Sequence, residues 1–179
     1  MRLSPQEVRA AIYRGSLNDL IRELAYAEPF KTLVRLQKGK EDDGTREELV
    51  LKFFAYLEDR DRYEGPVTDF LNRYMEDHAA ISDEELEAKR RKFANVAEQI
   101  AAITDGQPFK RPGYGPTPLV ELEAVLVGAA EVLDEGDEIG VPPEGWESDE
   151  ELVRASTRGT NTRAMLQARI DRAKELLRA

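Results

Sequence analysis

Apolar residues recur at three- and four-residue spacing along almost the whole chain, and this periodicity limits the fold more than any other feature. Helix starts are marked by capping-box pairs, of which Ser4 with Glu7 and Ser82 with Glu85 are two. No run alternates apolar and polar residues as a half-buried strand does. The sequence predicts an all-α fold, an irregular bundle of roughly eight or nine short helices in a single domain over residues 1–179.

Several local expectations follow from the pattern. Val8, Ala11 and Ile12 share one face of the first helix, and Thr45 with Glu48 forms a third capping box. The wide apolar stripe over residues 49–57 predicts the most buried helix. Glycine and proline make residues 105–118 an irregular, linker-like segment. Residues 134–151 hold nine acidic residues and no basic ones, which predicts an exposed acidic loop with Trp146 as its aromatic anchor or as a contact for a partner.

The composition excludes several classes of chemistry. The chain has no cysteine, so disulfides, thiol nucleophiles and thiolate metal sites are excluded. Its one histidine, His78, follows two acidic residues at a predicted helix end, where a capping or surface role fits better than catalysis. We therefore predict no metal, no cofactor and no catalytic residues. No apolar run reaches the roughly 18 residues of a membrane span, and the start of the sequence has no apolar signal segment, so we expect a cytoplasmic protein with no membrane partner.

Charge is segregated along the chain, whose net charge is −10. Residues 1–40 carry a net +4, residues 41–151 a net −19, and residues 152–179 a net +5. The two basic ends would form one basic face if they met in the fold; otherwise they are ordinary solvated helix surface. The acidic middle would favour a basic partner.

Two polar clusters are candidates for binding an anion or nucleic acid. The first consists of Arg9 on the polar side of the first helix, Arg14 at its end, and Asn18. The second lies in residues 157–163, at the start of the last predicted helix, and contains Arg158, Thr160, Asn161 and Arg163. Free backbone N–H groups and arginines at a helix start suit an anion. The alternative is ordinary N-capping with solvated arginines.

Short blocks of sequence resemble, in order, the helical half of the GmrSD restriction-endonuclease N-terminal-like family, a large family of ParB- and sulfiredoxin-related proteins. The blocks are residues 3–15 (LSPQEVRAAIYRG), 48–55 (ELVLKFFA), 63–66 (YEGP), 70–75 (FLNRYM), 109–112 (FKRP), and 159–162 (GTNT) with Arg169 and Ile170. Together they cover essentially the whole chain. One departure is Ala10, where the family usually has asparagine.

The resemblance implies a non-catalytic helical module of an NTP-dependent DNA restriction, or phage-defence, protein. The family's ParB-like half carries an Asp-Gly-Gln-Gln-Arg motif that no part of this sequence matches. The module is therefore expected to act with a separate ParB-like catalytic half or subunit, or to be a truncated remnant. In that setting its basic terminal segments would contact DNA. A stand-alone acidic interaction module or DNA mimic is the alternative that the net charge favours.

Overall fold

The computed structural model describes residues 4–39, 43–157 and 159–178. Over these residues it contains nine α-helices and no strand, which confirms the predicted all-α bundle. The helices are α1 (Pro5–Ile12), α2 (Ser16–Tyr26), α3 (Phe30–Leu33), α4 (Thr45–Asp59), α5 (Val67–Asp77), α6 (Asp83–Ile103), α7 (Leu119–Asp134), α8 (Glu150–Thr157) and α9 (Arg163–Leu177). Short 3-10 turns at Arg60–Arg62 and Trp146–Ser148 complete the fold.

Among the described helices the most buried is α7, rather than α4 as predicted. It is buried on nearly every side from Glu121 to Val132, and it packs against α4, α6, α8 and α9. An apolar stripe is visible in the sequence only when the helix is amphipathic. A helix that is apolar on all sides, such as α7, therefore has a weaker hydrophobic periodicity although it is more completely buried. The stripe of α4 does pack inward, where Phe53 forms edge-to-face contacts with Phe54 and Phe93.

The irregular segment 105–118 is mostly exposed but is attached to the core through two buried residues, Phe109 and Thr117, so it is not a free linker. Phe109 is fully buried, and its backbone N–H donates to the carbonyl of Leu33 over 3.0 Å. Thr117 donates a backbone bond of 2.8 Å to Arg35, so this segment pairs with the extended chain that follows α3. The ring of Trp146 packs on Phe109 at a centroid distance of 5.3 Å, which confirms Trp146 as the anchor of the acidic loop.

Two of the three predicted capping boxes are present at helix starts. Both bonds of the box are present at Ser4 with Glu7 and at Ser82 with Glu85. The box predicted at Thr45 is wrong. The N-cap of α4 is Gly44, in a left-handed conformation with φ +80°, and Thr45 instead bonds the carboxylate of Asp43.

Candidate docking surface on the first two helices

The first helix buries its polar face and exposes its apolar face. Val8 and Ile12, which share the apolar face, are 42% and 66% exposed, whereas Gln6 and Arg9 on the other face are 4% and 2% exposed. An eight-residue helix is not stable alone and normally packs its apolar side on the protein. Here the apolar side faces outward, which makes α1 a candidate surface for binding another molecule.

Arg9 attaches α1 to the body of the protein. Its Nε donates to Asn72 Oδ1 over 2.9 Å. Its Nη1 donates to the side-chain oxygen of Gln6 and lies 3.8 Å from a Glu48 carboxylate oxygen. Burial lowers the pKa of the Arg9 guanidinium, with the Glu48 carboxylate opposing that shift. The side chain is thus enclosed, and an external anion could not reach it unless α1 moved away.

The polar contacts beneath α1 continue into the core. Lys52 donates to Glu123 over 2.9 Å and lies 3.1 Å from Glu48, at a cavity of about 260 Å³ that Gln6 also lines. Burial alone would lower the pKa of the Lys52 ammonium, but the Glu123 and Glu48 carboxylates outweigh it and raise that pKa above its usual range. The surface beneath α1 is therefore made of paired charges rather than apolar side chains.

Two further residues predicted for the site, Arg14 and Asn18, do lie together on this surface. They line a cavity of about 310 Å³ between α1 and α2, together with Arg22, which the sequence analysis did not single out. Arg14 and Arg22 are exposed and make no hydrogen bond or ion pair with any described residue. Arg22 could have been found from the sequence, since it follows Asn18 by one helical turn.

Arg14 and Asn18 also border a second cavity, of about 160 Å³. Its apolar lining comes from Ile12, Leu17 and Met75. Because Arg14 belongs to both cavities, the apolar and cationic parts of the surface are continuous. Together, the outer face of α1, Arg14, Asn18, Arg22 and these two cavities are called the α1–α2 surface below.

Two carboxylates also line the larger cavity. Glu7 caps α1, and Glu47 accepts a hydrogen bond of 3.0 Å from the Tyr26 hydroxyl. The second carboxylate oxygen of Glu47 is buried without a hydrogen-bond partner. The cavity is therefore lined by charges of both signs and is not a uniformly basic site.

The second predicted cluster lies elsewhere and is engaged in the fold. Arg163 pairs with Asp61 at 2.7 Å, the carbonyl of Thr160 accepts from buried Arg169, and the carbonyl of Asn161 accepts from the Tyr63 hydroxyl. Arg158 lies outside the described residues. Thr162 is the N-cap of α9, with its hydroxyl accepting from the backbone N–H of Met165, in line with the N-capping alternative.

The two predicted clusters are not brought together. Asn161 lies near Gly65, just before α5, whereas Arg14 and Asn18 lie near Met75 and Ala79 at the other end of that helix. The eleven residues of α5 span about 16 Å. A single anion-binding face made from both clusters is therefore absent in the described part of the chain.

Much of the positive charge of the last helix is neutralised by the acidic loop. Arg172 binds Asp149 at 2.8 Å, and Lys174 and Arg178 both pair with Glu135. The basic C-terminal segment therefore folds against acidic residues of the same chain. It does not join the basic residues of α1 and α2.

A second buried polar group, which sequence analysis missed, lies where α4, α5 and α6 meet. Lys89 donates to Glu58 and, over 2.9 Å, to the hydroxyl of Tyr74, which in turn donates to Glu58 over 2.7 Å. Burial raises the pKa of the Tyr74 phenol, and the Glu58 carboxylate raises it further. Lys89 stands on the same face of α6 as Phe93 and Val96, at helical spacing, and this was the signal of its burial.

His78 caps α5 beside this group, as predicted. Its Nδ1 lies 2.9 Å from the carbonyl of Tyr74, and its ring stacks on the Tyr74 ring at 4.1 Å. Glu58, His78 and Lys89 border a cavity of about 330 Å³. Since Glu58, Tyr74 and Lys89 satisfy one another, the group is explained as a buried structural network.

Wider comparisons add no template for this site. Neither protein-family models nor curated proteins nor solved structures give a match to the chain. Within residues 4–39, 43–157 and 159–178, no three His, Asp or Glu side chains are grouped to hold a metal ion. Over the same residues no helix has both the length and the apolar character that crossing a membrane requires.

Proposed function

We propose that this chain is a non-catalytic helical module that works by docking onto another protein. The observation that carries the proposal is the orientation of α1, which buries Arg9 and Gln6 and leaves Val8 and Ile12 exposed. Exposed apolar residues grouped on one helix face and rimmed by charges are typical of protein-binding sites. Ile12 also borders the smaller cavity, so the face includes a concave site.

The resemblance to the GmrSD-like family supplies the kind of partner. In this proposal the partner is a ParB-like catalytic half, and the two together form an NTP-dependent restriction system of the phage-defence type in the cytoplasm. The chain then contributes a docking surface and no catalytic group. The alternative of a stand-alone acidic module has less support, because Glu135 and Asp149 of the acidic loop are already paired with α9.

The test begins with the DNA immediately upstream of the Met1 codon. A reading frame there that encodes a strand-rich segment with the Asp-Gly-Gln-Gln-Arg motif is co-expressed with this chain. We expect the two products to elute together from a size-exclusion column, and the double variant Val8→Ser, Ile12→Ser to abolish that complex.

The matched control is Val141→Ser, which alters a residue that is 85% exposed in the acidic loop. This variant should leave the complex intact. A complex that survives the double variant would contradict docking through α1, and the lack of any ParB-like segment upstream would argue against this partner. The purified chain alone should hydrolyse no NTP and cleave no DNA, with or without magnesium; robust turnover would refute the non-catalytic role.

A further inference from the structure

Arg14 and Arg22, which pair with no described residue, and the apolar cavity beside Arg14 indicate what kind of segment fits the α1–α2 surface. We infer that this surface binds an acidic protein segment that carries one large apolar side chain. The inference rests on the proposed function, since it assumes that the chain acts by docking. It adds the chemistry of the docked segment.

The smaller cavity fits one apolar side chain. Its volume is about 160 Å³, and Ile12, Leu17 and Met75 give it an apolar lining. An enclosed cavity of about 150 Å³ is large enough to hold a benzene ring. A leucine or an aromatic side chain of the docked segment would therefore fill it and cover Ile12.

The arginines set the charge of the segment. Arg14 precedes α2 and borders both the smaller and the larger cavity, whereas Arg22 lines the larger cavity from within α2. Both lack a carboxylate partner among the described residues, although acidic residues outnumber basic ones in this chain. Carboxylates on the docked segment, placed near the anchor and farther along α2, would form the charge-assisted pairs that arginine favours.

The same surface does not suit nucleic acid. Arg14 and Arg22 are the two cationic side chains among the described residues that line the larger cavity. Binding to a phosphate backbone depends on neutralising many phosphates with cations. Two arginines beside an apolar cavity match a short protein segment with a few carboxylates.

The experiment selects peptides from a random dodecapeptide display library on the full-length chain, with depletion on the double variant Arg14→Gln, Arg22→Gln. We expect the enriched peptides to be acidic and to contain one Phe, Trp or Leu. Their affinity should fall about tenfold or more on the double variant and on Ile12→Ser. It should also fall as salt is added, because exposed charge pairs are screened.

Arg154→Gln is the matched control, since Arg154 is an exposed arginine on α8 that makes no ion pair with any described residue. Circular dichroism and thermal unfolding of each variant verify the fold. No enrichment, an uncharged or basic consensus, or equal binding to the double variant would each overturn the inference. So would a short DNA duplex that binds the chain through the same two arginines.

The outcomes separate this inference from the proposed function. A co-expressed ParB-like partner that still binds the Arg14→Gln, Arg22→Gln variant overturns the acidic segment while leaving docking in place. Acidic peptides that require both arginines, in the absence of any ParB-like partner, support the inference and refute that partner.

Discussion

Gly128 of α7 lies directly against the backbone nitrogen of Lys174 in α9. A Cβ atom added to Gly128 would be 2.9 Å from that nitrogen and 3.3 Å from the Cβ of Ala173. Both helices are therefore held at a separation that only glycine permits. This contact fixes α9 on α7.

Gly128→Ala should destabilise the protein even though alanine is the better helix former. Overpacking costs about 1–3 kcal/mol, and the gain in helix propensity returns up to about 1 kcal/mol. We expect a net loss of roughly 1–2 kcal/mol in the free energy of unfolding, measured by urea denaturation. Gly115→Ala is the control, since nothing lies near its added Cβ; equal stability of the two variants would contradict the close helix contact.

Arg9→Ala should release α1 while the rest of the fold persists. The change removes a buried partner from Asn72 and Gln6 and one of the two cationic partners of Glu48, and loss of a buried hydrogen-bonding partner costs about 1–3 kcal/mol. Since α1 can open locally, we expect faster hydrogen exchange over Pro5–Ile12 and little change in the core, measured by mass spectrometry. Arg14→Ala, at an exposed site that pairs with no described residue, should leave exchange unchanged. Unaltered exchange in Arg9→Ala would mean that the buried contacts do not hold α1.

Asp149 should make the free energy of unfolding depend on pH in acidic solution. Hydrogen bonds from Arg172, and from the backbone N–H of Leu152, hold the pKa of the Asp149 carboxyl below its usual range. A lowered folded-state pKa adds stability that is fully present above the unfolded value of about 3.9 and is lost as the pH falls through the folded pKa.

Asp149→Asn tests this pH dependence because asparagine still caps the helix but carries no charge. At neutral pH the variant should be less stable by about 1 kcal/mol, as expected of a partly exposed ion pair. The stabilities of the two proteins, measured by thermal unfolding, should converge as the pH falls below about 3.9. A difference that persists unchanged in acid would show that the charge is not responsible.

Tyr74→Phe should destabilise the junction of α4, α5 and α6. The hydroxyl both donates to Glu58 and accepts from Lys89, so its removal leaves a buried ammonium with one partner fewer. Loss of a buried hydrogen-bonding partner costs about 1–3 kcal/mol, which chemical denaturation can measure. Tyr114→Phe is the control at an exposed tyrosine. Equal effects of the two changes would contradict a structural role for the Tyr74 hydroxyl.

The helices themselves could be predicted from the sequence, because their signals are local. Ser4 with Glu7 and Ser82 with Glu85 mark helix starts through bonds made within one turn. Gly44 displaced Thr45 as an N-cap because Asp43 offers its carboxylate to Thr45, a competition between neighbours that the spacing alone does not reveal.

The candidate site was predicted only in part, because it depends on which face of α1 meets the protein. Periodicity shows that Val8 and Ile12 share a face, but the partners of the other face, Asn72 and Glu48, are distant in sequence. Arg9 was therefore expected on the polar, solvent side and is instead buried. Arg14 and Asn18 were found together as expected, since they are local neighbours at the start of α2.

The pairing of α9 with the acidic loop reduces how much of the loop's negative charge is open to a ligand. Lys174 and Arg178 act as built-in counterions for Glu135, so removal of the last helix would leave this carboxylate without those two partners. A cationic ligand drawn to the acidic stretch has to displace these side chains first. The electrostatic potential that an approaching molecule meets is set by the remaining charges, among them Arg14 and Arg22, which pair with no described residue.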